Sequence, residues 1–348
     1  MTYQREFDKR LRVGVLGIGS HSYRNILPAL NYLPVELEAV CNHSNKELAD
    51  KTAKQYGCRS YQNPQEMYEK EKLDAVFICA APEVHAGLVM EALEAGVNVF
   101  VEKPVAMNSN EIRQIIAKKK DKVVVVGYKK AFMPAVQKAI ELRDSEKYGN
   151  LESILAVYPM KMPENGAELM AQRKRTDWLN NGCHSLAVLL AVGGPVDSVI
   201  SVLGLKRNGA NIIKFKNGVM GNFHLASGPQ PNEEYHFYAP KWHLAIDNTT
   251  KVVLQRGIPS VYGRTTSFIA PGDDTGAVVW EAQNCKATLE NKALFVQGMY
   301  QEMMYFCNCV IEHKQPTLGS LDFALELQKV TEALMISEGK EVKIEPEQ

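Results

Sequence analysis

Val13-Gly14-Val15-Leu16-Gly17-Ile18-Gly19-Ser20-His21-Ser22 ends a run of aliphatic residues and opens a stretch with helical spacing. This junction decides the fold. Gly17 permits a tight turn, and Gly19 lets the backbone approach a pyrophosphate at a helix N-terminus. Ser22 stands where a third glycine is usual and is small enough for helix and strand to pack closely. A G-x-G-x-x-S pattern carries weight only where a strand precedes it and a helix follows. That context is present. Strands read over Arg12 to Leu16, Glu36 to Cys41, Asp74 to Cys79, Asn98 to Val101 and Lys122 to Val126. Helical patterns separate them, over Arg24 to Tyr32, Asn45 to Tyr56, Val84 to Ala95 and Ser109 to Lys119. Asn45 and Ser109 are the expected N-caps, and Gly57 and Gly96 stand where C-cap glycines belong. Continuous Val/Ile runs are buried on both faces, so the expected architecture is an α/β doubly wound parallel sheet of the Rossmann type. The loop holding Gly17, Gly19, Ser20, His21 and Ser22 is then expected to carry NAD(P).

Beyond Pro134 the alternation stops. A helix over Met133 to Ser145 leads to a strand over Leu151 to Tyr158, and a helical segment covers Asn180 to Ala191. Strands follow in succession over Val196 to Leu203, Ile212 to Phe215, Val219 to Ala226, His243 to Asp247 and Val252 to Gln255. Helices over Gly298 to His313 and Leu321 to Ser337 come last. This order implies a C-terminal α+β domain with a large, mainly antiparallel open sheet. The expected division is residues 1–130 for dinucleotide binding and 131–348 for substrate binding and oligomerisation.

The chain has 348 residues, 45% hydrophobic and 23% charged, as in an ordinary globular protein. Forty basic and 40 acidic residues cancel, which argues against a nucleic-acid partner. The basic run Lys118-Lys119-Lys120 complements the C-terminal end of a helix. No apolar run is long enough to span a membrane, and Met1 to Arg12 lacks a hydrophobic signal core, so a cytoplasmic location is expected. The seven cysteines show no framework spacing and read as reduced core residues. There is no H-x-x-x-H pair and no G-x-S-x-G elbow. No metal is expected, and His224, His236 and His243 read as ordinary sheet residues.

Three further segments move the reading from fold to family. They are Ile78-Cys79-Ala80-Ala81-Pro82-Glu83-Val84-His85, Val101-Glu102-Lys103-Pro104, and Gly127-Tyr128-Lys129-Lys130-Ala131-Phe132-Met133-Pro134. Each follows a strand of the first sheet. In order and spacing, with the glycine loop ahead of them, they resemble the glucose–fructose oxidoreductase / inositol dehydrogenase / rhizopine-catabolism (Gfo/Idh/MocA) family of NAD(P)-dependent oxidoreductases. The resemblance implies hydride transfer between nicotinamide and a hydroxyl-bearing carbon of a sugar or polyol. It also implies a homodimer or homotetramer, paired through the open face of the second sheet. It makes Lys103 catalytic, at the carboxyl end of a strand where ligands of open α/β sheets bind. There, beside an oxidised nicotinamide, a lysine would have a lowered pKa and could exchange a proton. Ala80, Ala81, Pro82 and His85 would line the cofactor, with Glu102 and Lys130 near it and Tyr128 on the substrate side. The second strand ends in Cys41-Asn42-His43-Ser44, where an acid for the adenosine ribose is usual. Asn42 could bond a ribose hydroxyl, whereas His43, Ser44 and Lys46 could meet a 2′-phosphate, so NAD and NADP both stay open.

The family's second signature is an Asp and a His four residues apart, opening a helix. The matching stretch is Trp178-Leu179-Asn180-Asn181-Gly182-Cys183-His184-Ser185, with Asn180 in place of the aspartate. Asn180 and His184 share a helix face at this spacing. Lys103 and His184 read as an acid/base pair, Asn180 as a positioning residue and Trp178 as a stacking surface for a sugar. Two departures stand out: Ala131 replaces a frequent arginine, and Arg173-Lys174-Arg175 replaces a glycine pair. That basic cluster reads as a solvated loop or as a contact for an anionic substrate. Two other functions fit the scaffold: an NAD-dependent, redox-assisted glycosidase, and a dinucleotide-sensing regulator that turns over nothing.

Overall fold

The computed structural model describes residues 7–144, 150–228, 232–247, 250–256, 276–281 and 292–346. The N-terminal stretch before Phe7, the expected helix end at Ser145 and the seventh cysteine, Cys285, lie outside these residues. The first sheet has six parallel strands in the order β3-β2-β1-β4-β5-β6. Their ranges are β1 Leu11–Leu16, β2 Val35–Cys41, β3 Arg59–Tyr61, β4 Ala75–Ile78, β5 Asn98–Glu102 and β6 Val124–Gly127. The order reverses between β1 and β4, which opens a crevice at their carboxyl ends. Helices α1 Leu27–Leu30, α2 Lys46–Tyr56, α3 Pro64–Lys70, α4 Pro82–Glu94 and α5 Ser109–Lys119 fill the crossovers. Asn45 caps α2 as expected, accepting from the Leu48 N–H, and Gly57 ends it in the left-handed region. For α5 the cap is Asn108 rather than Ser109, because the Asn108 side chain reaches the Glu111 N–H. The Ser109 N–H and hydroxyl go instead to Glu332.

The strand β3 and helix α3 have no counterpart in the periodicity. Arg59-Ser60-Tyr61 is too short and too exposed to show a pattern. The signal that could have found α3 is Asn63-Pro64, an N-cap asparagine followed by a first-turn proline.

After α6 (Pro134–Arg143), strand β7 (Ser153–Pro159) enters the second sheet; helices α7 (Gly166–Ala171) and α8 (Cys183–Gly193) follow. The remaining strands are β8 Val196–Leu203, β9 Gly209–Phe215, β10 Met220–Ala226, β11 Glu234–Ala239, β12 Trp242–Asp247, β13 Lys251–Gln255, β14 Ala277–Glu281 and β15 Val342–Lys343. The nine-stranded order is β14-β13-β12-β11-β7-β10-β9-β8-β15, antiparallel except where β7 pairs with β10. One face packs on α6, α8 and the C-terminal helix. On the other, His236, Tyr238 and His243 stack with ring centroids 5.3 Å (His236–His243) and 4.5 Å (Tyr238–His243) apart, beside exposed Leu155, Met220 and Val279.

The last three helices are α9 Lys292–Val296, α10 Met299–Ile311 and α11 Leu321–Ile336. Helix α10 returns to the first sheet, where Phe306 lies 5.6 Å from Phe77 and 6.0 Å from Phe100. Cys307 and Cys309 are buried on this helix, and all six described cysteines are free thiols. Among the described residues no helix is long and apolar enough to cross a membrane.

Candidate active site

Two cavities meet at the carboxyl ends of β1, β4 and β5. The larger, about 1120 Å³, runs from Gly17, Ile18, Gly19 and Ser20 past Cys41, Asn42, His43 and Ser44 to Gln62 and Asn63. Ala80 and Ala81 line its opposite wall. The smaller, about 590 Å³, is bordered by Glu102, Lys103, Lys129, His184 and residues of the first helical turn. His21 borders both.

The glycine loop fits a dinucleotide. Gly17 has φ +89°, and a Cβ there would stand 2.3 Å from the Cys79 carbonyl oxygen. Only glycine allows β1 and the β4–α4 loop to approach this closely. A Cβ on Gly19 would meet nothing within 4 Å, which leaves its backbone open to a ligand. The Ser22 hydroxyl donates to the Gly17 carbonyl at 2.6 Å and is fully buried, as the third glycine would be. Ser22–Ile26 forms a π-helical turn rather than the α-helix expected over Arg24 to Tyr32. Asn42 is already occupied: its amide donates to the Ile18 carbonyl at 3.0 Å, and its oxygen accepts from Ser44. It therefore braces the glycine loop from the wall of the cavity. Lys46 is drawn away to Asp50, whereas His43, Ser44, Gln62 and Asn63 remain at that end of the cavity.

His85 is a clamp. Its Nδ1–H donates to the Pro104 carbonyl at 2.8 Å, and its Nε2 accepts from the Ala80 N–H at 3.2 Å. The ring and the neighbouring Pro82 are buried, so His85 ties the two catalytic-end loops together and does not line the cofactor cavity. Burial pushes the pKa of His85 down, as it does more strongly for His184. An unfolded histidine titrates near 6.5, so below about that pH the unfolded chain binds more protons than the folded one. Stability is therefore expected to fall between about pH 6.5 and 5. His85→Gln should show a shallower loss of thermal midpoint across that window; equal slopes would remove His85 from the acid sensitivity.

Glu102 ends β5 and is buried. The His21 Nε2–H donates to its carboxylate at 2.9 Å, and the Lys103 N–H reaches the other oxygen at 3.3 Å. Burial opposes its ionisation, but the bond and charge of His21 and the ammonium of Lys103 outweigh burial and hold it below the usual range.

Lys103 follows directly. Its Nζ donates to the Asn180 carbonyl at 2.7 Å, a bond from the first sheet to the second domain. Residues Trp178–Gly182 form a second π-helical turn, and α8 continues from it. Gly182 is required here because a Cβ would lie 2.5 Å from the Trp178 ring. Asn180 Oδ1 and His184 Nδ1 are buried and have no hydrogen-bond partner among the described residues. Burial, then the positive charges of Lys103, Lys130 and Lys129, hold His184 far below its usual pKa. The imidazole is therefore held in its neutral form. Desolvation and three ammonium groups oppose its protonation, and Asn180 supplies no charge to offset them.

Three expected site residues sit elsewhere. Trp178 is 0% exposed, donates to the Thr331 carbonyl and packs on Phe223, so it offers no face to a sugar. Tyr128 is 1% exposed against Phe323. Lys130 lies outside the cofactor cavity; its ammonium is held by both oxygens of buried Glu233 at 2.6 Å, over the Tyr158 ring. Of the basic cluster, Arg173 is paired with Glu111 at 2.7 Å. The periodicity did not single out Arg24, Gln297 and Met299, which border the smaller cavity. Lys129, quoted for its place in a motif, also borders it. Among the described residues no group of three or more His, Cys, Asp or Glu side chains is gathered as metal ligands.

Comparison with known proteins agrees with this architecture. Residues 11–128 match the model of the Gfo/Idh/MocA oxidoreductase family, NAD-binding Rossmann fold. The dTDP-3,4-didehydro-2,6-dideoxy-α-D-glucose 3-reductase of Saccharopolyspora spinosa is 27% identical over 69% of this chain and 75% of its own length. The scyllo-inositol 2-dehydrogenase (NAD+) of Bacillus subtilis is 27% identical over 41% of this chain and 42% of its own. An oxidoreductase structure from Thermotoga maritima superposes with a TM-score of 0.73 at 23% identity, over 96% of this chain and 98% of that one. Residues 11–128 are thus an NAD-binding Rossmann domain of the Gfo/Idh/MocA oxidoreductase family, and the relatives named above are a sugar reductase and an inositol dehydrogenase.

Proposed function

We propose that the protein is an NAD(P)-dependent dehydrogenase or reductase acting on a hydroxyl or keto carbon of a sugar, polyol or sugar derivative. One observation carries this reading. Lys103 from the first sheet and His184 from the second domain border one cavity, which adjoins the glycine-loop cavity through His21. In this reading residues 1–130 hold the dinucleotide and residues 131–348 the substrate, with copies pairing through the open sheet face. A bound nicotinamide supplies the hydride acceptor or donor. Lys103 takes or returns the hydroxyl proton, and its bond to the Asn180 carbonyl fixes where Nζ points. His184 enters as a neutral imidazole that hydrogen-bonds the same oxygen. Its Nδ1 and the Asn180 Oδ1 are buried polar atoms without a hydrogen-bond partner among the described residues.

The reading is supported by the family, by the fit of the glycine loop and by the placement of Lys103. Its test is a fluorescence titration of the protein with NADH and NADPH, followed by a screen of polyols and sugars for absorbance change at the nicotinamide band. Micromolar binding of one dinucleotide together with stoichiometric NAD(P)H formation is expected. The redox-assisted glycosidase would instead cleave glycosides with no net change in cofactor. Dinucleotide binding with no turnover of either kind would leave the sensing role.

A further inference from the structure

The smaller cavity is unbalanced in charge. Arg24, Lys103 and Lys129 border it, with His21 and His184. The single carboxylate in its wall, Glu102, is engaged by His21. Lys103 and Lys129 donate to neutral acceptors, the Asn180 carbonyl at 2.7 Å and the Gln297 amide oxygen at 2.7 Å. Arg24 is exposed and has no carboxylate partner among the described residues. Beneath the floor, α10 places Glu302 one turn beyond the cavity-lining Met299. Both Glu302 oxygens are buried with no hydrogen-bond partner among the described residues. Burial, reinforced by the charge of Glu102, pushes the Glu302 carboxyl far above its usual range, which favours its neutral form.

Cations in excess of carboxylates at a cavity stabilise an anion that enters it, and the low dielectric of the surrounding protein strengthens the attraction. The volume, about 590 Å³, is that of a small-molecule site. We propose that the substrate is anionic, a polyhydroxylated molecule of monosaccharide size carrying a carboxylate or a phosphate monoester, gripped by Arg24 and Lys129. This deepens the oxidoreductase reading and rests on it. Arg24 borders the smaller cavity alone, not the dinucleotide cavity, so its guanidinium is assigned to the substrate and not to the cofactor's pyrophosphate.

The experiment uses the protein saturated with reduced or oxidised dinucleotide and compares probes of two charges. Calorimetry measures binding of D-glucose and myo-inositol against D-glucuronate, D-gluconate and D-glucose 6-phosphate. Turnover is followed with the same set. The anions are expected to bind about tenfold or more tightly than the neutral probes, with the advantage shrinking as sodium chloride is raised. The carboxylates against the phosphate ester show which anion is preferred. Arg24→Ala should raise the Kd and KM for the preferred anion by about ten- to a hundredfold and leave dinucleotide affinity unchanged. Arg24→Lys should recover part of the loss, since charge without the guanidinium fork remains. Neutral probes binding as well as the anions would overturn the inference while leaving the oxidoreductase reading intact. So would an Arg24→Ala variant that loses dinucleotide affinity and keeps its anion preference. Binding of none of the anions by the dinucleotide-saturated protein overturns it as well; failure to bind any dinucleotide sinks the oxidoreductase reading itself.

Discussion

Lys103→Met is expected to lower kcat by about a hundred- to ten-thousandfold, the range for removing a positioned acid or base, with dinucleotide Kd nearly unchanged. Methionine keeps the length and apolar stem of the lysine and removes the ammonium, so packing at the end of β5 is preserved. Two losses are then combined, the proton carrier and the bond to the Asn180 carbonyl. Lys103→Arg separates them. Arginine can still donate to that carbonyl, but it holds its proton at every working pH. If Lys103 moves the proton, the arginine variant regains thermal stability and stays inactive. If Lys103 only braces the second domain, arginine restores turnover as well. A loss of dinucleotide binding in both variants would mean that the lysine serves the cofactor rather than the chemistry.

The same site sets an expectation for histidine. Since His184 is held neutral by burial and the surrounding lysines, the pH profile of kcat/KM is expected to show no titration near pH 6.5 from it. That separates this chain from the pattern in which an aspartate four residues upstream supports an imidazolium. Asn180 and a neutral His184 are a consistent pair: neither carries charge, and each has a buried polar atom without a hydrogen-bond partner among the described residues.

Much of this was legible in the sequence for a physical reason. A parallel sheet buried on both faces writes itself as Val/Ile runs, so five of the six first-sheet strands show plainly, while exposed three-residue β3 does not. Lys103 and His184 were singled out because short motifs place them at the ends of elements, and both border the smaller cavity. What the motifs could not show is which neighbours claim each side chain. Asn42 is bonded to the Ile18 carbonyl, His85 to Pro104 and Ala80, and Lys130 to Glu233. Apart from the local bond to Ala80, these partnerships are made across 19 or more residues of chain. Trp178 reads as a stacking surface by position, but the π-helical turn and Gly182 fold its ring into the core. The charge of the smaller cavity is also long-range, since it depends on α10 returning from residue 299 to the edge of the first domain.

The two loop glycines, equal as letters in the fingerprint, are expected to fail in opposite ways. Gly17→Ala puts a methyl group 2.3 Å from the Cys79 carbonyl oxygen and 2.7 Å from its carbon, on a residue with φ +89°. The clash is with backbone, so no side chain can swing aside; β1 and the β4–α4 loop must part. Strain at a positive φ together with this overlap is expected to cost about 3–5 kcal/mol of stability, and dinucleotide binding falls with it. Gly19→Ala meets nothing within 4 Å. Its thermal midpoint should match the wild type within a degree or two, since surface substitutions of this kind cost about 0.5 kcal/mol or less. Its new methyl group nevertheless occupies the face across which a pyrophosphate would approach the backbone, and affinity should drop by about ten- to a hundredfold. Chemical denaturation beside a dinucleotide titration of both variants reads the two quantities separately. A Gly19→Ala variant that binds as tightly as the wild type would mean that the pyrophosphate does not cross this loop. A Gly17→Ala variant that keeps its stability would mean that the β4–α4 loop yields, and that the close approach at Cys79 is not what holds the crevice open.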